Sequence, residues 1–261
     1  MMIAAGHEQR RGVLAEPVAS RPKDISIRDS APLCASCSVR GECLPDSLDA
    51  AGLLELDAAF GTLAGVKRHE VLYRANAPFT ALYDIRGGTF KTVLLTEDGR
   101  EQIIGHHMRG DILGLDGIGD DQYTCEAVAL EDSEVCPLHF AKLDELARRD
   151  PALRRNLYRL MSRNLRRARD MMMLLGSRSA EERLAAYLLD LAEGFRRGGH
   201  SASEFMLRMT RAEIGSFLGL KLETVSRIFS RLHGVGIIHV QGRAVKLLDS
   251  PALNRLAGNG H

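Results

Sequence analysis

MTRAEIGSFLGLKLETVSRIFSRLHGVGII, residues 209–238, carries the parts of a helix-turn-helix in order. Thr210 and Glu213 stand at capping-box spacing and predict the start of a short helix, with Ile214 and Leu218 facing inward. Gly219 supplies the turn. A second helix over about Leu222 to His233 puts Val225, Ile228, Phe229 and Leu232 on one side, to pack against the first. Glu223, Ser226 and Arg227 then share the opposite side. A carboxylate accepts from a cytosine amino group, a guanidinium grips guanine O6 and N7, and a hydroxyl serves either. The triplet therefore suits a major-groove edge, at about 1–3 kcal/mol per good contact. The competing reading is a solvated Glu223–Arg227 pair worth only a few tenths of a kcal/mol.

Beyond this run, IIHVQGRAVKLL reads as two short strands around Gln241-Gly242-Arg243, a hairpin wing that completes a winged helix. Thr210, Arg211, Thr224, Arg243 and Lys246 are its candidates for DNA phosphate contacts. Ahead of it, SAEERLAAYLLDLAEGFRRGG supplies a second capping box, Ser179 with Glu182, and a glycine stop at Gly198 and Gly199.

Asp150-Pro151 opens a long helix, with Asp150 at the N-cap and Pro151 at the first helical position. Leu153, Leu157, Leu160, Met161, Leu165, Ala168, Met172 and Leu175 recur on it at spacings of three and four, among seven arginines. Such an apolar stripe either lies on its own domain or pairs with a second copy as a coiled coil. From about Leu53 to Leu138 come short apolar runs punctuated by glycine, which predict an antiparallel barrel or roll. TEDGRE, with Asp98-Gly99 between two such runs, is a hairpin signal.

The fold expected is α+β: an N-terminal antiparallel β-roll, a long helix and a C-terminal winged helix-turn-helix. Residues 1–33 read as a flexible arm, 34–49 as a cysteine-rich segment, 50–149 as the roll, 150–176 as the long helix, 177–252 as the winged helix and 253–261 as a tail. Basic and acidic residues number 16 and 25 through residue 150, and 19 and 9 beyond it, so the back half is the one suited to a polyanion. No apolar window reaches the roughly 18 residues of a membrane span, and the first residues lack an export-type leader. A cytoplasmic, non-membrane chain is the expectation. Three of the five cysteines fall in CASCSVRGEC, residues 34–43, and with no export signal they point to metal or redox chemistry rather than disulfides. Neither a Gly-rich phosphate loop nor a nucleophile elbow is present, which argues against an enzyme.

The roll, the long helix and the winged helix together resemble the CRP/FNR superfamily of bacterial transcription regulators, over about Cys34 to Leu256. SAEERLAAYLLDL, MTRAEIGSFLGLKLETVSRIFSRL and GDILGLDGIG are similar to its FNR branch, whose members sense oxygen through an iron–sulfur cluster. The E-x-x-S-R pattern of Glu223, Ser226 and Arg227 implies a palindrome with TTGAT and ATCAA half-sites. The C-x2-C-x5-C spacing of Cys34, Cys37 and Cys43 matches the branch, and by the ALEDSEVC stretch the family's fourth ligand falls on Cys125 or Cys136; Cys136 is taken as that ligand, with Cys125 the rival.

The resemblance implies one [4Fe–4S] cluster per chain, converting to [2Fe–2S] with oxygen, and a homodimer on double-stranded DNA while the cluster is intact. It implies pairing along Leu157, Met161, Leu165, Ala168, Met172 and Leu175, and RNA polymerase contact at Leu95, Thr96 and Gly99. Family members often carry an acid in the middle of the helix seam, where this chain has Ala168, so its dimer is expected to depend less on the cluster. Spacing alone leaves zinc open, as a zinc-stabilised or cluster-free regulator, but tetrahedral zinc has no redox step. An electron-transfer protein would have no role for the DNA-binding half. A cyclic-nucleotide regulator shares the architecture, but its phosphate pocket wants a Glu and an Arg-Ser pair where this chain has Leu115, Tyr123 and Thr124, so no cyclic nucleotide is expected. His106 and His107 are the candidates for a haem or nitric-oxide sensor, although two histidines on a strand edge are more often simply exposed.

Overall fold

A computed structural model describes residues 63–96 and 99–258. Residues 1–62, with the expected arm, the cysteine-rich segment and Cys34, Cys37 and Cys43, lie outside the described residues. The roll is two four-stranded antiparallel sheets. One has the order β1 (Ala64–Val66), β8 (Ser133–His139), β3 (Ala81–Gly87) and β6 (Ile112–Leu113). The other has the order β2 (Val71–Tyr73), β7 (Glu126–Ala129), β4 (Thr89–Leu95) and β5 (Glu101–Met108). Period-two burial turns Ile85, Phe90, Ala127, Ala129 and Val135 into the space between the sheets, all of them fully buried. The expected hairpin at Gly99 joins β4 to β5, with Gly99 at φ +77° and Leu95 paired with Glu101.

A short helix, α1 (Phe140–Arg149), closes the roll just beyond the apolar runs that end at Leu138. Asp150 then caps α2 (Pro151–Ser177) as predicted, its side chain accepting from the amides of Ala152 (2.7 Å) and Leu153 (3.3 Å). The stripe on α2 resolves into two faces. Leu153 and Leu160 are buried against Leu82, Ile112, Leu138 and α1, with Leu157 partly covered beside them. Residues 161–170 are all exposed, with Leu165 at 73% and Met172 just beyond at 74%.

The remainder comprises α3 (Ala180–Arg197), β9 (Glu204–Met206), α4 (Arg211–Leu218), α5 (Leu222–Gly234), β10 (Ile238–Gln241), β11 (Ala244–Leu247) and α6 (Ser250–Leu256). The two predicted wing strands pair as expected, and β9, which was not foreseen, adds a third on the outer side of β11. The core of this unit does not end at its own boundary. Leu184, Leu188, Ile214, Phe217 and Val225 continue into Val93, Ile103, Met108 and Leu130 of the roll.

Candidate nucleic-acid interface and cysteine site

Both capping boxes form. In the helix-turn-helix, the Thr210 hydroxyl accepts from the Glu213 amide (3.2 Å), and the Glu213 carboxylate accepts from the Thr210 amide (2.7 Å). Gly219 takes the left-handed conformation at φ +64° and turns the chain between α4 and α5. Gly215, which sequence reasoning did not single out, is needed for a different reason: a Cβ there would lie 2.6 Å from the Leu220 carbonyl oxygen. Val225, Ile228, Phe229 and Leu232 are buried, as read from the sequence. Glu223 and Arg227 are exposed, and Ser226 is half-buried beside them. Among the described residues no ion pair joins Glu223 to Arg227; the guanidinium instead donates to Thr224 Oγ1 at 3.4 Å. The competing reading of that pair therefore loses its contact.

The remaining candidates surround this face with varied exposure. Thr210 is exposed at the start of α4, and Thr224 is half-buried. Arg211 lies with its guanidinium 3.3 Å from the centroid of the Phe229 ring, where burial pulls its pKa down. On the wing, Arg243 donates to the Arg208 carbonyl at 3.4 Å and Lys246 lies 3.5 Å from Glu204, both side chains exposed. Leu95, at the tip of the β4–β5 hairpin, is 57% exposed.

The roll grips the helix-turn-helix. Lys91 on β4 donates to Glu213 at 2.7 Å, and the Ile103 amide on β5 donates to Ser216 Oγ at 3.0 Å. Gln102 donates to the Ser216 carbonyl, and Arg208 pairs with Glu131 at 2.8 Å. Burial alone would raise the Glu213 carboxyl; the hydrogen bonds from Lys91 and Thr210 outweigh it and hold the pKa below its usual value. The side chains of Lys91 and Glu213 are only 15% and 22% exposed, whereas those of Lys67 and Asp132, 2.8 Å apart, are 80% and 65% exposed. Lys91→Met is expected to lower the unfolding free energy by about 1–2 kcal/mol in chemical denaturation, because a half-buried carboxylate loses a charged donor. Lys67→Met should leave the curve in place.

His106 and His107 are not the exposed pair that the sequence suggests. The His106 ring meets Tyr187 of α3 edge-on at 5.9 Å, and His107 Nε2 lies 3.0 Å from Thr92 Oγ1. Burial, with His107 beside it, holds His106 down at about 4 against the pull of Asp111. Nearby, Asp111 accepts from the Met108 amide at 3.0 Å and pairs with Arg167 of α2 at 2.6 Å.

The two described cysteines occupy different surroundings. Cys125 is 3% exposed in the aromatic core between the sheets, its Sγ donating to Asp116 Oδ2 at 3.5 Å. Burial, then the Asp116 carboxylate, pushes this thiol up to about 12. Cys136 is buried on β8 opposite Asp84. It shares its side of the strand with Leu138, and so looks away from the intersheet core toward the side on which α1 and α2 pack. Among the described residues no group of three or more His, Cys, Asp or Glu side chains is arranged to hold a metal.

At the positions compared with a nucleotide pocket, Tyr123 stacks on Tyr73 at 4.0 Å between ring centroids and its hydroxyl donates to the Ala81 carbonyl at 2.8 Å. The Thr124 amide and hydroxyl both donate to Asp116 Oδ2 at 2.8 Å. Leu115 is half-buried beside the cluster that receives α1 and α2. A stacked tyrosine pair and a carboxylate thus stand at that place.

A β-roll whose core runs into a winged helix, with Glu223 and Arg227 exposed on its second helix, defines a DNA-binding transcription regulator. Residues 65–150 match the cyclic nucleotide-binding domain family, and residues 182–256 match the Crp-like helix-turn-helix domain family. The chain is 43% identical to the transcriptional activator protein Anr of Pseudomonas aeruginosa over 225 residues, 86% of this chain and 92% of that one. It is 40% identical to the fumarate and nitrate reduction regulatory protein of Salmonella typhimurium, over 87% of this chain and 90% of that one. Among solved structures, FixK2 from Bradyrhizobium japonicum superposes with a TM-score of 0.68 at 34% identity, covering 75% of this chain and 96% of FixK2. The chain belongs to the FNR/Anr-type regulators of the CRP/FNR family. It is a transcription regulator and not an enzyme. Among the described residues no helix is long and apolar enough to cross a membrane.

Proposed function

We propose that the chain is an oxygen-responsive regulator that reads a palindrome of the TTGAT-N4-ATCAA type as a homodimer while Cys34, Cys37, Cys43 and Cys136 hold a [4Fe–4S] cluster. The observation that carries this reading is the side of β8 on which Cys136 stands. Leu138, two residues on and on the same side, packs with Leu143 and Ala147 of α1 and with Leu153 and Leu160 of α2. A segment tied to Cys136 therefore abuts the root of the long helix. Cys125 suits the role poorly, since it is enclosed among Tyr73, Tyr123 and Ala127 between the sheets with its Sγ bonded to Asp116 Oδ2.

When bound, the cluster supplies a link that oxygen dismantles. The chain's own residues do the rest. Cys136 would hold the cluster together with Cys34, Cys37 and Cys43 on the side of β8 where α1 and the root of α2 pack. Met161, Leu165, Ala168 and Met172 present an apolar face to a second copy, with no charge at Ala168 to oppose the approach. Whatever binds the paired state preferentially shifts the monomer–dimer equilibrium toward it. Glu223, Ser226 and Arg227 of each copy then read one half-site, with Thr210, Arg211, Thr224, Arg243 and Lys246 at the phosphates. Leu95, Thr96 and Gly99 at the hairpin tip offer the contact to RNA polymerase. Tyr123 and Thr124, engaged as described, do not supply the cation a cyclic nucleotide phosphate requires.

The test is protein purified without oxygen, its visible absorption followed as air is admitted, with iron and sulfide assays and sedimentation on the same sample. A broad brown absorption that changes on aeration, with about four irons per chain, is the expected result. Because Ala168 is uncharged, the protein stripped of iron should remain partly dimeric at micromolar concentration. A colourless protein, holding zinc or nothing after reconstitution, would overturn the oxygen reading and leave the DNA-binding half standing.

A further inference from the structure

We propose that Arg183 is the residue that sets the spacing of the two recognition helices, by clamping the end of α2 to the turn of the helix-turn-helix. Its guanidinium donates to three backbone carbonyls that belong to different pieces of the chain. Nη2 reaches Leu175 at 2.6 Å, Nε reaches Arg178 at 3.0 Å, and Nη1 reaches Leu218 at 3.1 Å. Leu175 lies in the last turn of α2, Arg178 is its cap, and Leu218 is the final residue of α4, immediately before the Gly219 turn.

Helix C-termini leave their last carbonyls without partners inside the helix, and they carry the negative end of the macrodipole. Arg183 lies between two such ends. Its own position runs against local preference, since it stands at the fourth residue of α3, where the positive end of a macrodipole favours acids such as Glu181 and Glu182. The placement makes sense through what the side chain reaches, not through the helix that bears it. A planar fork of five donors can satisfy three acceptors at once, and a lysine ammonium on a flexible stem cannot reproduce that pattern.

The covalent link that this clamp spans is short and soft. Only Arg178 and Ser179 separate α2 from α3, and both have extended backbone, which leaves the swing of the winged helix about the end of α2 to noncovalent contacts. The clamp closes at the turn itself: a Cβ on Gly219 would lie 3.6 Å from Arg183 Nη1 and 3.8 Å from Leu175 Cδ2. In a two-fold dimer paired along α2, the separation of the recognition helices follows from this joint. Half-sites repeat at about 34 Å, and a shift of about 3.4 Å is one base-pair step, so a modest swing at each joint takes a helix out of register. Arg183 touches no DNA in this account; it positions the residues that do. The proposal rests on the dimeric operator reading given above.

The experiment uses full-length wild type, Arg183→Met and Arg183→Lys, prepared without oxygen, with fluorescence anisotropy on four DNA duplexes. These are the palindrome, the palindrome with its spacer one base pair longer or one shorter, and a single half-site. Thermal denaturation and sedimentation accompany each protein, and Arg183→Lys keeps the charge and stem should the Met variant fold poorly. Both variants are expected to sediment as wild type. Their palindrome affinity should fall about 10- to 100-fold while half-site affinity changes less than about threefold, because what is lost is the linked second contact. Preference for the natural spacer should shrink to within about threefold. Palindrome and half-site affinity falling together would mean that Arg183 only maintains the winged helix, and would overturn the proposal. So would wild-type spacer preference in both variants. A wild type that binds palindrome and half-site alike would instead overturn the dimeric reading, and the proposal with it.

Discussion

Cys136→Ala is expected to take the iron content of the anaerobically prepared protein from about four per chain to near zero, while Cys125→Ala keeps the full complement and colour. The contrast follows from where the two thiols point. Period two along β8 sends Val135 into the core between the sheets and Cys136 to the other side, with Leu138. Cys125 sits among Tyr73, Tyr123 and Ala127 inside the roll, and its thiol is bonded to Asp116. Losing a buried thiol there leaves a small cavity, so Cys125→Ala should cost about 1–2 kcal/mol of stability without touching the chromophore. Iron assay and visible absorption on matched samples decide the matter. Iron retained in Cys136→Ala and lost in Cys125→Ala would reverse the assignment.

The second large effect is expected at the DNA. On the proposed reading Arg227→Ala removes one base contact from each half-site, and two contacts at about 1–3 kcal/mol each amount to roughly 30- to 20,000-fold in affinity for the palindrome. The side chain is exposed and, among the described residues, it makes one long hydrogen bond, to Thr224, so the melting curve should barely move. Anisotropy at one fixed salt concentration provides the measurement, since phosphate contacts make affinity strongly salt-dependent. The variant should also bind equally well when the guanine of each half-site is replaced, whereas wild type should discriminate. An affinity change below about threefold would exclude Arg227 from base reading.

The helix-turn-helix was legible because its signals are local. Two capping boxes, a glycine at positive φ and a four-residue inward set each lie within one turn or two of their partners. The wing and the β4–β5 hairpin were legible for the same reason. What escaped the sequence reading is what depends on distant packing. β9 spans three residues, too few to show a period, and forms because β11 offers an edge. The two faces of α2 read as one stripe, since periodicity marks a residue as apolar without saying which neighbour will cover it. Lys91 and Glu213 are 122 positions apart, and nothing local marks either as half of an ion pair. The histidines of β5 were expected at an open edge; that edge exists, but α3 and α4 lie over it. On the cysteines, spacing together with family resemblance proposed four ligands, and only Cys136 falls where its side of the strand can be read.

β5 is the outermost strand of its sheet, and the helix-turn-helix completes it: Ser216 takes the Ile103 amide that a further strand would otherwise take. Val93, Ile103 and Met108 of the roll are likewise covered in common with the winged helix. Roll and winged helix are therefore not modules that recombination can exchange freely. A roll inherited without its reader would expose an unpaired backbone row flanked by apolar side chains, a template for strand addition by other chains. A foreign reader would have to bring its own counterpart of Ser216 and Glu213. A substitution on either side of this seam is thus answerable to the residues it meets on the other.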